Sequence, residues 1–600
     1  MPNPHALRAV LLTLSVLSIG AADNLGDTGA VFARPMVGAS GAYLTGRHAL
    51  RETEMPRAAD GLLAALAADP QNPELQQQAL LAAIMAGRPG TLALAARAKS
   101  SPAAILVLAG DDVHAGRWKS AQTRFASLPA QGLTQVLQPL LLAWSQQGGG
   151  ATDQALDTLR PYVAGARYRG VFALHAAMIC DLAGRPEEAA RFYALMGPEF
   201  EAPNLRLGMV AASSNARAGR LAQARALIRA MVDSSPDLSI AEPALLQAMT
   251  RPQVTDAADG IAEAYLAMAA ALQQQDATDF ALMLLRLATS LRPDFTPARL
   301  LASDIEGGKG QFAAAAATLA PVKPADPLIA VVQFRRASIA ERDGRLADAS
   351  RILQALAHDY PDRPEPWTQL GALQSRAGDY AAAVVSASNA IERLPRPAPA
   401  SAWATYYQRG MSYDRIHDWP RAEADFQHAL ELSPNQAYTL NYLAYAWAEQ
   451  GRNLPQARQM LERAVGLQPN EGSIADSLGY VLLLLGEHAA AVRQLEHAVE
   501  LSSEDSTING HLGDAYLAVG RGREAQVQWR RALILNPEPQ DERALLAKLA
   551  TQAAPSGATP ATPSGSTPAE PSGAAQATPS GATLATPGGA AQAAQDAGPR

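Results

Sequence analysis

Residues 401–450 gather ten aromatic side chains: Trp403, Tyr406, Tyr407, Tyr413, Trp419, Phe426, Tyr438, Tyr442, Tyr445 and Trp447. The whole 600-residue chain has only seven Trp, fifteen Tyr and ten Phe, so this stretch is strongly enriched. Tyrosine beside amide and carboxylate groups is the composition of a binding surface, because the ring supplies contact area and the hydroxyl a polar handle. Catalysis has other signatures, built on convergent polar groups, and they are missing. His488 and His497 are nine apart, on opposite faces of a helix, and read as solvated surface. The ten histidines form no HExxH pair. Residues 307–310, Gly-Gly-Lys-Gly, lack the spacing and the Ser/Thr of a phosphate-binding loop. The one cysteine, Cys180, reads as a buried packing residue and excludes an internal disulfide or a thiolate cluster. No catalytic residue, metal site or cofactor is expected.

Composition agrees with a folded, non-enzymatic chain. It is 48% hydrophobic and 18% charged with a net charge of −7, and it has no basic run, which argues against a nucleic-acid binder. Arg8 precedes an apolar run at 9–20 and the small residues Gly20-Ala21-Ala22, the pattern of a secretory signal over 1–22 followed by a linker over 23–37. That run is shorter than the roughly 20 residues a membrane helix needs. Export to the periplasm is the expectation, with a cytoplasmic location as the alternative. Residues 551–600 are dominated by Pro, Ala, Thr, Ser and Gly, and are expected to be a disordered tail.

The elements that must carry the aromatic cluster come from a repeat. The stretch "HLGDAYLAVGRGREAQVQWRRALILNP" covers residues 511–537. With Gly513 as position 8 of a unit, Tyr516 is 11, Gly520 is 15, Ala525 is 20, Trp529 is 24 and Ala532 is 27. A step of 34 residues back places Gly479, Leu482, Gly486, Ala491, Leu495 and Ala498 at the same positions. With one inserted residue the next step gives Ala444, Trp447, Gly451, Ala457, Leu461 and Ala464. Continued upstream, the register defines about 14 units. Small residues at 8 and 20 let two helices approach, bulk at 24 fills between them, and glycine at 15 ends the first helix. No unit can bury its own apolar face, so units must stack. The predicted fold is all-α, an α-solenoid of helix–turn–helix units. Its blocks are 38–238, 262–397 and 403–540, with a closing helix at 541–550. Between them lie an interruption at 239–261, a hinge or an edge loop, and a Pro-rich linker at 398–402.

These positions carry the pattern W-x2-LG-x2-Y…A-x3-F…A…P, and the chain resembles the tetratricopeptide repeat family. The resemblance implies a superhelix whose positions 5 and 9, on the first helix of each unit, face a concave groove. It thereby marks Tyr407, Met411, Asn441, Tyr445, Asp476, Tyr480 and Asp514 as candidate partner-binding residues, and Asp414, about one turn beyond Met411, is counted with them. The family's carboxylate-clamp subgroup needs Lys and Asn at such places, and only Asn441 fits. Residues 438–540, through Tyr442-Leu443, Asp476-Ser477-Leu478-Gly479 and His511-Leu512-Gly513-Asp514, resemble the C-terminal repeats of bacterial envelope tetratricopeptide proteins. That group includes outer-membrane lipoproteins that deliver substrates to a periplasmic protease; the chain departs from them in lacking a lipidated cysteine. The implied function is a non-catalytic envelope scaffold or adaptor that holds a protein or peptide partner in its groove. The alternative is a structural part of an envelope export or assembly machine for polysaccharide, pilus or outer-membrane protein. Neither nucleic acid nor a membrane span is expected among its contacts.

Overall fold

The computed structural model describes residues 38–553, apart from 53, 100, 130, 133, 166–167, 197–203 and 276. The expected signal at 1–22 and nearly all of the expected tail lie outside the described residues. Every regular element among the described residues is helical, and the helices form fourteen consecutive pairs, from Ala39–Arg51 with Met55–Ala68 to Ser506–Ala518 with Gly522–Ile534. Glu242–Ala248 and the closing Pro539–Ala553 stand outside the pairs; the closing helix is longer than expected at both ends. Residues up to Leu108 and residues from Ala109 onward form two compact units.

The repeat positions do the packing that their residue types suggest. In the last four units position 24 is Phe426, Leu461, Leu495 and Trp529, and position 20 is Ala422, Ala457, Ala491 and Ala525, all fully buried. A Cβ added to Gly513 would meet the Trp529 ring at 2.4 Å, and one on Gly479 would meet Leu495 at 2.4 Å. In these two units only hydrogen at position 8 allows position 24 to lie so close to the partner helix, whereas the unit with the smaller Leu461 accommodates Ala444. Position 15 adopts the left-handed conformation that closes the first helix, as at Gly486 (φ 79°) and Gly520 (φ 81°). His417 occupies the same place with φ 62° and without a glycine's freedom.

Residues 239–261 are neither a hinge nor an edge loop. They form a 3₁₀ turn, Pro236–Ala241, and the helix Glu242–Ala248 before the long helix Ala257–Gln273 begins. Leu238, Ile240 and Leu245 are buried, which a solvated connector would not do. The 3₁₀ turn packs against the helix Ile329–Arg342, and Ser239 Oγ donates to Glu365 at 2.6 Å. The following helix doubles back and packs on Thr134–Gly148 and Arg169–Leu182. There Gly260 approaches Trp144 so closely that a Cβ would sit 2.2 Å from the indole ring. Ser213 Oγ donates to the Arg251 carbonyl at 2.7 Å, and Arg206 forms a bidentate pair with the buried Glu263. Trp144, Met178 and Ser213 are position 9 of three successive units, and all three are buried. The chain thus fills the groove of these three units with its own residues 251–263.

Trp144 cannot yield to a larger neighbour, because its Nε1–H donates to His175 Nδ1 at 2.9 Å within a fully buried site. Burial pushes the His175 imidazole down to about 3, consistent with a neutral ring whose Nδ1 accepts. Gly260→Ala is expected to destabilise the chain by about 1–3 kcal/mol through overpacking. A thermal melt checks this; an unchanged midpoint would contradict the contact.

Candidate partner-binding groove

The first helices of the last four units, Trp403–Arg415, Ala437–Glu449, Gly472–Leu484 and Ser506–Ala518, lie side by side with the closing helix Pro539–Ala553 following them. Residues four apart share a helix face, so each helix contributes a row. The rows are Tyr407-Met411-Arg415, Asn441-Tyr445-Glu449, Asp476-Tyr480-Leu484 and Gly510-Asp514-Ala518. Among the described residues no distant helix packs along these rows, in contrast to the filled groove of the earlier units.

The structure brings the expected residues together through contacts between neighbouring helices. Tyr407 meets Tyr442 edge-on at 6.3 Å and tilts against Phe426 at 5.9 Å. Tyr445 and Tyr480 lie 5.6 Å apart, and Tyr480 stacks on His511 at 4.6 Å. Tyr407, Met411, Tyr445 and Tyr480 are half-buried, so each keeps part of its surface toward water.

The acids of the set are less available than their positions suggest. Asp414 is buried and accepts from the Tyr442 hydroxyl at 2.8 Å. Asp476 is buried and meets His511 Nδ1 at 2.9 Å. Asp514 accepts from Trp529 Nε1 at 3.0 Å and from Lys548 Nζ at 2.7 Å. These three carboxylates brace neighbouring helices; a carboxylate at the rim of a row would be free, whereas these sit where the helices touch. Asn441 is 6% exposed, and its Oδ1 has no hydrogen-bond partner.

Three residues beyond the expected set belong to the site. Tyr442 and His511 join the ring contacts, and Glu449 continues the Asn441-Tyr445 row at the exposed end of its helix. The four-residue spacing from Tyr445 is the sequence signal that could have found Glu449. Burial of its carboxyl pushes Glu449 up to about 7, with Asp414 and Asp541 adding to the rise and Tyr445 and His511 opposing it. Because the residue as a whole is exposed, water moderates that effect. Burial also opposes the charged His511 ring, but Asp476 and Asp514 outweigh it and hold its pKa above the ordinary value. Burial raises the hydroxyls of Tyr407, Tyr442 and Tyr445, so they remain neutral donors.

No family model matches the chain. A TPR repeat-containing protein of Pseudomonas aeruginosa is 26% identical over 182 residues, 30% of this chain and 30% of that protein. The helix pairs and their glycine and alanine register agree with that likeness. The array is made of tetratricopeptide repeats. Superkiller protein 3 of Schizosaccharomyces pombe is 29% identical over 170 residues, 27% of this chain and 12% of that protein. The chain therefore spans less than a third of the length of these curated relatives. Among solved structures, the APC/C hetero-tetramer Cut9–Hcn1 is 16% identical, covers 85% of this chain and 96% of its own, and has a TM-score of 0.36.

Other chemistry has little to work with in these tetratricopeptide repeats. Cys180 is buried, and burial pushes its thiol up to about 12, far from a reactive thiolate. Among the described residues no group of three or more His, Cys, Asp or Glu could hold a metal, and no helix is long and apolar enough to cross a membrane.

The raised Glu449 carboxyl has a consequence for stability. Its folded pKa lies above the unfolded value, so the folded state holds the proton more tightly, and stability falls as pH rises from about 4.5 through 7. His511, also raised, adds a loss as pH rises beyond its unfolded value of about 6.5. Glu449→Gln is expected to flatten the lower part of the pH–stability curve and to leave the melting midpoint at about pH 8 equal to or above that of the parent. A lower midpoint would show that the ionised carboxylate stabilises the fold.

Proposed function

We propose that the chain is a non-catalytic scaffold that holds a protein or peptide segment along the rows of residues 403–553. Tetratricopeptide repeats suggest protein–protein interaction. The observation that carries the finer reading is the contrast between two grooves of one chain. In the units spanning 134–234 position 9 is buried in each, beside residues 251–263, whereas Tyr407, Met411, Tyr445 and Tyr480 are left half-buried. Amphipathic rings that are partly exposed and lie next to one another are the usual anchors of a partner. We place this scaffold in the periplasm on the strength of the apolar run at 9–20 and the small residues after it. The purified native chain should then begin near Asp23; an intact Met1 would contradict export.

Photo-crosslinking in cells tests the binding surface. A photoreactive phenylalanine analogue at Tyr445 or Tyr480 is expected to capture the same protein. The same analogue at Val527, exposed on the second helix of the last unit, should capture none. Equal capture at Val527, or none at Tyr445 and Tyr480, would contradict the proposal.

A further inference from the structure

One row of the open groove ends on a carboxylate that no cation pairs. That row, on the helix Ala437–Glu449, runs Asn441, Tyr445, Glu449, at four-residue steps along one face. Asn441 brings a nearly inaccessible Oδ1 that accepts no hydrogen bond, a state that native interiors rarely leave uncompensated. Glu449 stands exposed on the last residue of the helix, where the terminal carbonyls add negative potential to its own charge. It makes no ion pair among the described residues. The two cations nearby are committed elsewhere: His511 to Asp476 and Lys548 to Asp514.

The rings tell the same story. Elsewhere in these repeats the chain covers its tyrosines with its own arginines. Arg409 lies over Tyr406 and Tyr413, Arg415 over Tyr380 and Arg521 over Tyr516, at 4.1–5.7 Å. Among the described residues no arginine or lysine lies over Tyr445, whereas the His511 ring already stacks on Tyr480; both tyrosines are partly open and sit beside a carboxylate. A ring face next to an acid that makes no ion pair is the arrangement that attracts an ammonium or guanidinium group. An acidic segment would meet repulsion there.

We propose that the groove recognises a cationic protein segment, with a lysine or arginine side chain seated at Glu449 beside the Tyr445 ring. The proposal rests on the groove being the docking surface. It adds the chemical class of what docks, which is the opposite of the acidic tail that a carboxylate clamp takes.

The test uses the full chain and three fluorescent decapeptides that alternate leucine with arginine, with serine or with glutamate. At about pH 8, where Glu449 is ionised, the arginine peptide is expected to bind about tenfold more tightly than the serine peptide, and the glutamate peptide most weakly. Glu449→Gln, which keeps the side-chain shape, should weaken the arginine peptide by about five- to tenfold and leave the serine peptide unchanged. Glu504→Gln, the same charge change at an exposed acid of an outer turn, should alter neither. Equal affinity for the arginine and serine peptides would overturn the cation preference, as would Glu504→Gln weakening binding as much as Glu449→Gln. If Tyr445→Ala still weakened the serine peptide in that case, the groove would remain the docking surface with a different specificity. If no peptide responded to Tyr445→Ala, the docking surface itself would fall.

Discussion

The Trp144 ring lies against the backbone of Gly260, and nothing larger than hydrogen fits between them. Around this contact the Arg206–Glu263 pair and the Ser213–Arg251 hydrogen bond fasten the returning chain to three successive units. Glu263 is only 3% exposed, so it depends on Arg206 and Arg292 for its charge; a buried acid without such partners would be strongly destabilising. The returning segment therefore belongs to the packed interior. It occupies one groove, whereas no distant helix covers the rows of the C-terminal units among the described residues.

The two grooves differ in the way their occupants require. Where the chain covers itself, positions 5 and 9 include Leu140, Trp144, Met178 and Met209, apolar groups that gain by leaving water. Where nothing covers them, the same positions hold Tyr407, Asn441, Tyr445, Asp476, Tyr480 and Asp514. A tyrosine can keep its hydroxyl hydrated while its ring is half-covered, and an acid can brace a neighbouring helix. The open rows can thus stay soluble without a partner and still offer ring surface to one. Their braces run from helix to helix, through Tyr442 to Asp414, His511 to Asp476 and Lys548 to Asp514, which holds the rows in register before anything binds.

Much of this is legible in the sequence because it is local. The step of 34 residues, glycine at 8 and 15 and alanine at 20 all act within one helix pair or between adjacent pairs, so a single chain displays them as periodicity. The rows of the open groove follow from the same register. What the register does not carry is the return of residues 251–273 onto Trp144, since that contact joins elements far apart in the chain and leaves no periodic trace. The buried Leu238, Ile240 and Leu245 hint that the interruption is not solvated, but not where it packs. The state of the acids escapes for a similar reason. Asp476 occupies a groove position by register and Asp414 lies about one turn beyond one, yet their partners Tyr442 and His511 sit on neighbouring helices at positions 6, where the side-chain direction depends on how the pairs are stacked. Glu449 is the reverse case, a residue beyond the pair of groove positions whose helical spacing places it on the same row.

The contrast between a filled and an open groove is tested most directly by hydroxyl-radical footprinting of the intact chain, read residue by residue. Trp144, Met178, Met411, Tyr445 and Tyr480 are all reactive types, and the register gives all five the same position in their units. The structure predicts that Met411, Tyr445 and Tyr480 are labelled while Trp144 and Met178 stay protected. Labelling of Trp144 and Met178 at rates like those of the other three would mean that residues 251–273 do not occupy the first groove, and would contradict the account.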